Sequence, residues 1–263
     1  MSWRFIPYAE FDGAMNMAID VLLLERAQKS EPILRLYGFS PPCLSIGLSQ
    51  KLPLETVERA KARGFQIVRR PSGGRAVLHF KDLTYAFVAC EKASSENGIL
   101  EQSVSAAYKQ ICAGLQASFQ EFELQAELGS VEASYRHLAD CFLATTNADL
   151  HLAGRKLAGS AQLRRRGSVL QHGSIPLSLE QDIMPQLLGV KLEAATEKTK
   201  RHANLFELLG RGLTTQEMND AFRKGFSSAF SIDFVENPLS LEELEAAEKL
   251  AFEFKFDEQA QTA

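Results

Sequence analysis

The chain has 263 residues, 29 of them basic and 33 acidic, for a formal net charge of −4. That length can bury a sizeable core, and the slightly acidic balance excludes a general nucleic-acid-binding face. No apolar run approaches membrane-spanning length, and residues 1–7 lack the basic-then-apolar pattern of a secretory leader.

Residues 1–7 read as a short strand. Residues 12–30 follow a helical spacing through Met15, Ala18, Ile19, Leu22, Leu23 and Ala27, with Asp12 as the cap. Strands are expected at 33–39 and 43–47, broken by the Pro41-Pro42 turn. A short helix over 54–64 ends at a glycine and leads into a strand at 65–70. Segments 76–80 and 83–90 are expected to pair across a turn at Lys81-Asp82. A long helix spans 100–120, apolar at Val104, Ala107, Ile111, Leu115 and Phe119.

An irregular stretch, 129–147, then carries Cys141. Strands follow at 148–152, 155–163 and 168–177, with Ala153-Gly154 suited to a hairpin turn. Beyond about residue 180 the pattern is helical, with a strand at 231–235 and a last helix near 241–254. Strand clusters with interspersed helices define an α+β class with a mixed, largely antiparallel sheet flanked by helices. Residues 1–255 are expected to form one domain and 256–263 a polar tail.

Two glycine-bearing cationic turns hold the chemistry. In the first, Arg70-Pro71-Ser72-Gly73-Gly74-Arg75-Ala76, the proline sets a rigid entry and the glycines permit positive φ and close backbone approach. Such a loop can aim successive N–H groups at an anionic or polarised oxygen. In the second, Lys156 precedes Gly159, Ser160 and Ala161, small residues that let a ligand lie against the backbone. A lysine beside a carbonyl can stabilise charge developing on its oxygen. Alone, each pattern also fits a plain turn and a solvated lysine.

His79 and His172 suit proton transfer or structural hydrogen bonding. Cys141 is either a partly buried thiol or a nucleophile, with His137 four residues before it. Cys43, Cys90 and Cys112 sit in apolar runs as small hydrophobes. The four cysteines have no metal or redox spacing, no metal is expected, and a reducing cytoplasm fits this usage. Basic residues cluster at Lys61, Arg63, Arg69, Arg70 and Arg75, and again from Arg155 to Arg166, surfaces on which an acidic carrier protein can dock. Arg164, Arg165 and Arg166 alone read as a solvated face.

Taken together, residues 13–20 (GAMNMAID), 45–50 (SIGLSQ), 69–79, 83–85 (LTY), 154–162 (GRKLAGSAQ) and 170–174 (LQHGS) resemble the biotin/lipoate A/B protein ligase family, in order and at family-like spacing. The resemblance implies a class II synthetase/biotin-ligase-like fold, with an acyl tunnel walled by residues 70–79 and the Lys156 strand. The family contains ATP-dependent lipoate–protein ligases and octanoyltransferases that work through a cysteine thioester. The form of the glycine loop, Cys141-Phe142 just upstream of the lysine strand, and the lack of room for a large accessory domain favour the transferases.

That implies an octanoyl-acyl carrier protein donor, Cys141 as nucleophile and Lys156 at the acyl carbonyl. Lipoyl domains, those of the glycine-cleavage H protein and of 2-oxoacid dehydrogenase subunits, would be the acceptors, and no cofactor is expected. The substrate-binding set is Arg70, Ser72, Gly73, Gly74, Arg75, Ala76, His79, Gly159, Ser160, Ala161 and His172. The alternatives are a ligase that needs ATP and Mg²⁺, an amidotransferase taking octanoate from the H protein, and a non-catalytic acyl or lipoyl-domain binder. One departure is the C-terminal region, which lacks the tryptophan that family members often carry there; the only tryptophan is Trp3.

Overall fold

A computed structural model describes residues 2–129, 149–178, 183–189 and 202–257. The chain runs β1 (Trp3–Phe11), α1 (Gly13–Arg26), β2 (Ile33–Phe39), β3 (Cys43–Ile46), α2 (Leu54–Ala62), β4 (Gln66–Arg69), β5 (Val77–His79), β6 (Asp82–Cys90) and α3 (Val104–Gln120). It continues through β7 (Glu127–Leu128), β8 (Leu150–Leu152), β9 (Arg155–Arg165), β10 (Ser168–Pro176), α4 (Ile183–Leu187), α5 (Leu205–Leu209), α6 (Thr215–Phe230), β11 (Phe234–Glu236) and α7 (Leu241–Ala251).

Among the described residues the strands make two sheets. The large one has the order β11-β1-β2-β6-β10-β9-β8-β7, and the small one β4-β3-β5. Both are mixed: β1 runs parallel to β2 and β11, whereas β2, β6, β10 and β9 pair antiparallel. This is the expected α+β architecture. None of the described helices is long and apolar enough to cross a membrane.

The centre of the large sheet is buried on both faces. Leu34, Leu36, Tyr85 and Phe87 point into a core with α3 and α6, while Ile33, Tyr37, Ala86 and Val88 pack with α1 and α7. The small sheet has its own cluster: Leu44, Ile46, Ile67 and Leu78 pack with Val57 and Ala60 of α2 and Met184 and Leu187 of α4. Phe256, in the segment expected as tail, packs against that cluster.

The expected pairing of 76–80 with 83–90 does not occur. Both edges of β6 are taken, Phe87 lying between Leu34 of β2 and Gln171 of β10. With no edge left on β6, β5 pairs with β3 instead, His79 opposite Cys43. The chain crosses between sheets at Lys81, which adopts a positive φ of 52°. The long helix starts at Val104, not residue 100, because the Ser103 side chain caps it. The late strand begins at Phe234 because α6 continues to Phe230. The Ala153-Gly154 hairpin turn is present, with φ of 51° and 75°.

Candidate active site

The glycine loop is built by its own arginine. Arg70, 5 % exposed, turns inward: Nη2 donates to the Gly73 carbonyl at 3.0 Å and the Arg75 carbonyl at 2.6 Å, and Nη1 donates to the Ser45 carbonyl at 3.1 Å. Arg69 donates to the carbonyls of Gly47, Leu48 and Gln50. These two guanidiniums therefore shape loops by satisfying backbone oxygens. Gly74 has φ +99°, and a Cβ on Gly47 would stand 2.0 Å from the Gly74 carbonyl oxygen, so both glycines are required by geometry.

Lys156, expected at a solvated or catalytic turn, is 1 % exposed. Its Nζ lies 2.9 Å from Asp149 Oδ1, so the buried ammonium is compensated by a buried carboxylate. Gly159 makes room for it: a Cβ there would sit 2.9 Å from Lys156 Cε and 3.1 Å from Nζ. The amide of Ala203 donates to the Lys156 carbonyl at 2.8 Å, which ties the start of β9 to the chain leading into α5.

Both candidate histidines bridge the two sheets. His79 Nε2 lies 2.9 Å from Ser45 Oγ and Nδ1 2.8 Å from Asp82 Oδ2, which also accepts from Ser174 at 2.6 Å and Thr84 at 3.2 Å. Its ring stacks on Phe39 at 3.9 Å. His172 Nε2 lies 2.6 Å from Ser72 Oγ and Nδ1 2.9 Å from Asp20 Oδ2. Because an ionised carboxylate only accepts, Nδ1 carries a proton in each, which fixes the ring orientation and turns Nε2 to the serine.

Asp20 also receives Arg35 at 2.7 Å and the Tyr37 hydroxyl at 2.8 Å. Burial raises its pKa, but bonds from His172, Arg35 and Tyr37 together hold it below the usual carboxylate value. Burial beside Asp20 pushes the Tyr37 phenol well up.

These groups enclose one cavity, about 650 Å³ counting its open mouth, with a surface that is mostly carbon. Both predicted turns do wall it: Arg70, Gly74, Arg75, His79, Lys156, Gly159, Ser160, Ala161 and His172 line it. Ser72, Gly73 and Ala76 do not. Ser72 is turned to His172, Gly73 faces outward, and Ala76 packs in the small-sheet core. Cys141 and His137 lie outside the described residues. Arg164 corrects the expectation of a solvated face: it bonds Glu91 at 2.7 Å and the Gln102 carbonyl at 2.8 Å.

Sequence reasoning assigned no role to Asp149, Asp20, Arg35, Ser45, Asp82 or Met17. For Arg35 a signal existed, since a lone arginine in the apolar run of β2 must find a buried carboxylate. The described cysteines, Cys43, Cys90 and Cys112, are buried as expected. Burial pushes the Cys112 thiol up to about 12.

The helix-flanked mixed sheet thus carries a buried lysine–carboxylate pair on the wall of a carbon-lined cavity, an arrangement that suits a polarised carbonyl with an apolar tail. The chain belongs to the lipoyl protein ligase A/B catalytic domain family, whose model matches residues 12–227. Relatives named octanoyltransferase LipM are 36 % identical in Brevibacillus brevis, over 94 % of each chain, and 37 % identical in Geobacillus kaustophilus, over 95 % of this chain and 94 % of that one. The Bacillus subtilis LipM is 34 % identical, again over 95 % and 94 %. Among solved structures, lipoate-protein ligase A bound with ATP shares the fold with a TM-score of 0.76 at 21 % identity, covering 96 % of this chain and 95 % of that one. A bipartite lipoate protein ligase from Thermoplasma acidophilum gives 0.71 at 22 % identity, covering 96 % and 92 %.

Proposed function

We propose that the protein is an octanoyl-acyl carrier protein:protein N-octanoyltransferase that works through a Cys141 thioester. The observation that carries this reading is the buried Lys156–Asp149 pair on the wall of a carbon-lined cavity, in a chain a third identical to octanoyltransferases over nearly its whole length. The polar groups on the wall do not oppose an alkyl chain. Ser45, Ser174, Thr84 and both histidines are already bonded to one another or to carboxylates, so an entering chain leaves none of them unpaired. Burying an octanoyl tail yields roughly 5 kcal/mol before ordering costs, at about 0.8 kcal/mol per methylene.

In the first transfer the Cys141 thiolate attacks the donor thioester carbonyl. Lys156, its Nζ held by Asp149, stabilises the tetrahedral oxyanion, and the C–S bond to the carrier breaks to release its thiolate. In the second, the neutral ε-amine of an acceptor lysine attacks the Cys141 thioester. The new C–N bond forms, the amine proton leaves to solvent, and the Cys141 thiolate is restored. The described chain closes at the cavity wall on either side of residues 130–148, where the Gly129 amide donates to the Asp149 carbonyl at 2.8 Å.

The acceptors on this reading are lipoyl domains of the glycine-cleavage H protein and 2-oxoacid dehydrogenases, the site of action is the cytoplasm, and neither ATP nor Mg²⁺ takes part. The test is intact-mass spectrometry after incubation with octanoyl-acyl carrier protein without ATP. Wild type gains an octanoyl adduct that an apo lipoyl domain discharges, Cys141→Ser gains none, and Lys156→Ala acquires it on the order of 10²-fold more slowly. Acceptor modification that needs ATP and free lipoate and survives Cys141→Ser makes the protein a ligase. An adduct loaded from octanoyl-H protein alone makes it the amidotransferase.

A further inference from the structure

Most of the cavity wall is fixed in place. Tyr37 is held through its hydroxyl by Asp20 and carries the Arg35 guanidinium 3.9 Å from its ring centroid. His79 and His172 are bonded at both ring nitrogens. Ser160 is held by the Tyr85 hydroxyl at 2.7 Å. Val77 is β-branched on a strand and stiff at χ1, while Ala161, Gly159 and Gly173 have no side chain that can rearrange.

Met17 differs. It is the long, unbranched apolar side chain on the wall, 2 % exposed, and an unbranched thioether adapts its shape. Its other side packs in a small cluster with Ala14, Cys43 and Val68. That cluster leaves no slack: a Cβ on neighbouring Gly13 would stand 2.5 Å from Cys43 Sγ and 2.8 Å from Val68 Cγ1. Shortening Met17 therefore adds its vacated volume to the cavity, because the neighbours behind it are short and already packed.

We infer that Met17 sets the length of acyl chain the protein accepts, a role that rests on the acyl-cavity reading above. Met17→Ala removes about three heavy atoms, room enough for the two further methylenes of a decanoyl chain. The variant should favour decanoyl over octanoyl by roughly tenfold relative to wild type, the worth of two buried methylenes. Met17→Phe, bulkier and stiffer, should shift preference toward hexanoyl, and the near-isosteric Met17→Leu should keep the wild-type order.

The measurement is the rate of acyl-adduct formation from hexanoyl-, octanoyl-, decanoyl- and dodecanoyl-acyl carrier protein for the full-length chain and each variant. Calorimetric titration with the corresponding free acids runs alongside, and melts verify folding. Opposite shifts in the Ala and Phe variants, in adduct rate or affinity, carry the inference. If Ala fails to fold, the Phe and Leu variants decide it, since only Phe should shorten the preferred chain. An order unchanged from wild type in every folded variant overturns it. Should wild type form no adduct with any carrier thioester, the transferase reading fails, and the free-acid series still decides the role of Met17.

Discussion

Asp20 sits on the buried face of α1, where an ionised carboxylate without partners would be strongly destabilising. Burial alone raises its pKa. The facing groups, His172, the Arg35 guanidinium and the Tyr37 hydroxyl, outweigh that and lower it. With the folded pKa below that of the unfolded chain, ionised Asp20 stabilises the fold above the unfolded value of about 3.9, and the contribution is lost as pH falls through the folded value. Asp20→Asn leaves Arg35, itself 1 % exposed, without its carboxylate, and should cost about 3–5 kcal/mol near neutrality. Denaturant melts of both proteins across acidic pH check the sign. The gap should hold down to about pH 5, narrow below about pH 4 and close only as pH falls through the lowered folded value, where wild-type Asp20 also becomes protonated. A gap that stays constant into strong acid would mean that the carboxylate charge contributes nothing.

At the scale of elements, α3 and α6 approach closely because glycines face each helix. A Cβ on Gly114 would stand 2.6 Å from the Phe226 ring, and one on Gly225 2.2 Å from the Ser118 amide nitrogen. Alanine at 225 gains about 1 kcal/mol of helix propensity. The atom it meets is backbone, so α3 as a whole must shift, at about 2–3 kcal/mol. The clash wins, and Gly225→Ala should lower the denaturant midpoint with an unchanged slope, leaving acyl transfer at low temperature intact. A raised midpoint would show that the crossing is loose enough to gain from propensity. Such close approach is invisible in periodicity, which locates each helix and cannot say which helix it will meet. The same limit separates what was legible from what was not. The apolar spacing of α1 and the Ala153-Gly154 turn are local, and both were readable. The β5–β3 pairing depends on which edges distant strands leave free. That Lys156 is buried follows from Asp149 and the bare Cα of Gly159, a conjunction that composition does not reveal. The two turns were legible as walls of one site. That Arg70, while lining the cavity, also bonds the carbonyls of its own loop was set by side-chain direction, which the motif alone leaves open.

The whole molecule is two sheets with separate cores, meeting across the cavity. The small sheet packs with α2 and α4, sharing none of that cluster with the two cores of the large sheet. Across the gap run two bridges of the same chemistry: Ser45–His79–Asp82 and Ser72–His172–Asp20. Each serine belongs to the small sheet or its loop, and each carboxylate to the large sheet or the helix packed on it. The bonds that cross are Ser72–His172 and His79–Asp82, since Ser45 and His79 both lie in the small sheet, and breaking each leaves a buried ring nitrogen unpaired, at about 1–3 kcal/mol. The double variant Ser72→Ala/Asp82→Ala, which breaks both crossing bonds, should therefore let the small sheet open separately. Amides of β3, β4 and β5 should exchange roughly 10²-fold faster, while those in α3 and α6 keep their protection. Acyl affinity should fall with it, because the chain is held only while both walls stand at their native separation. Equal acceleration in both sheets would instead make the molecule one cooperative unit. Unchanged exchange in β3 to β5 would mean that the apolar contact among Ala14, Met17, Cys43 and Val68 holds the sheets together by itself. Separate opening is the outcome the geometry favours, since the small sheet's core cluster shares no residue with the two cores of the large sheet.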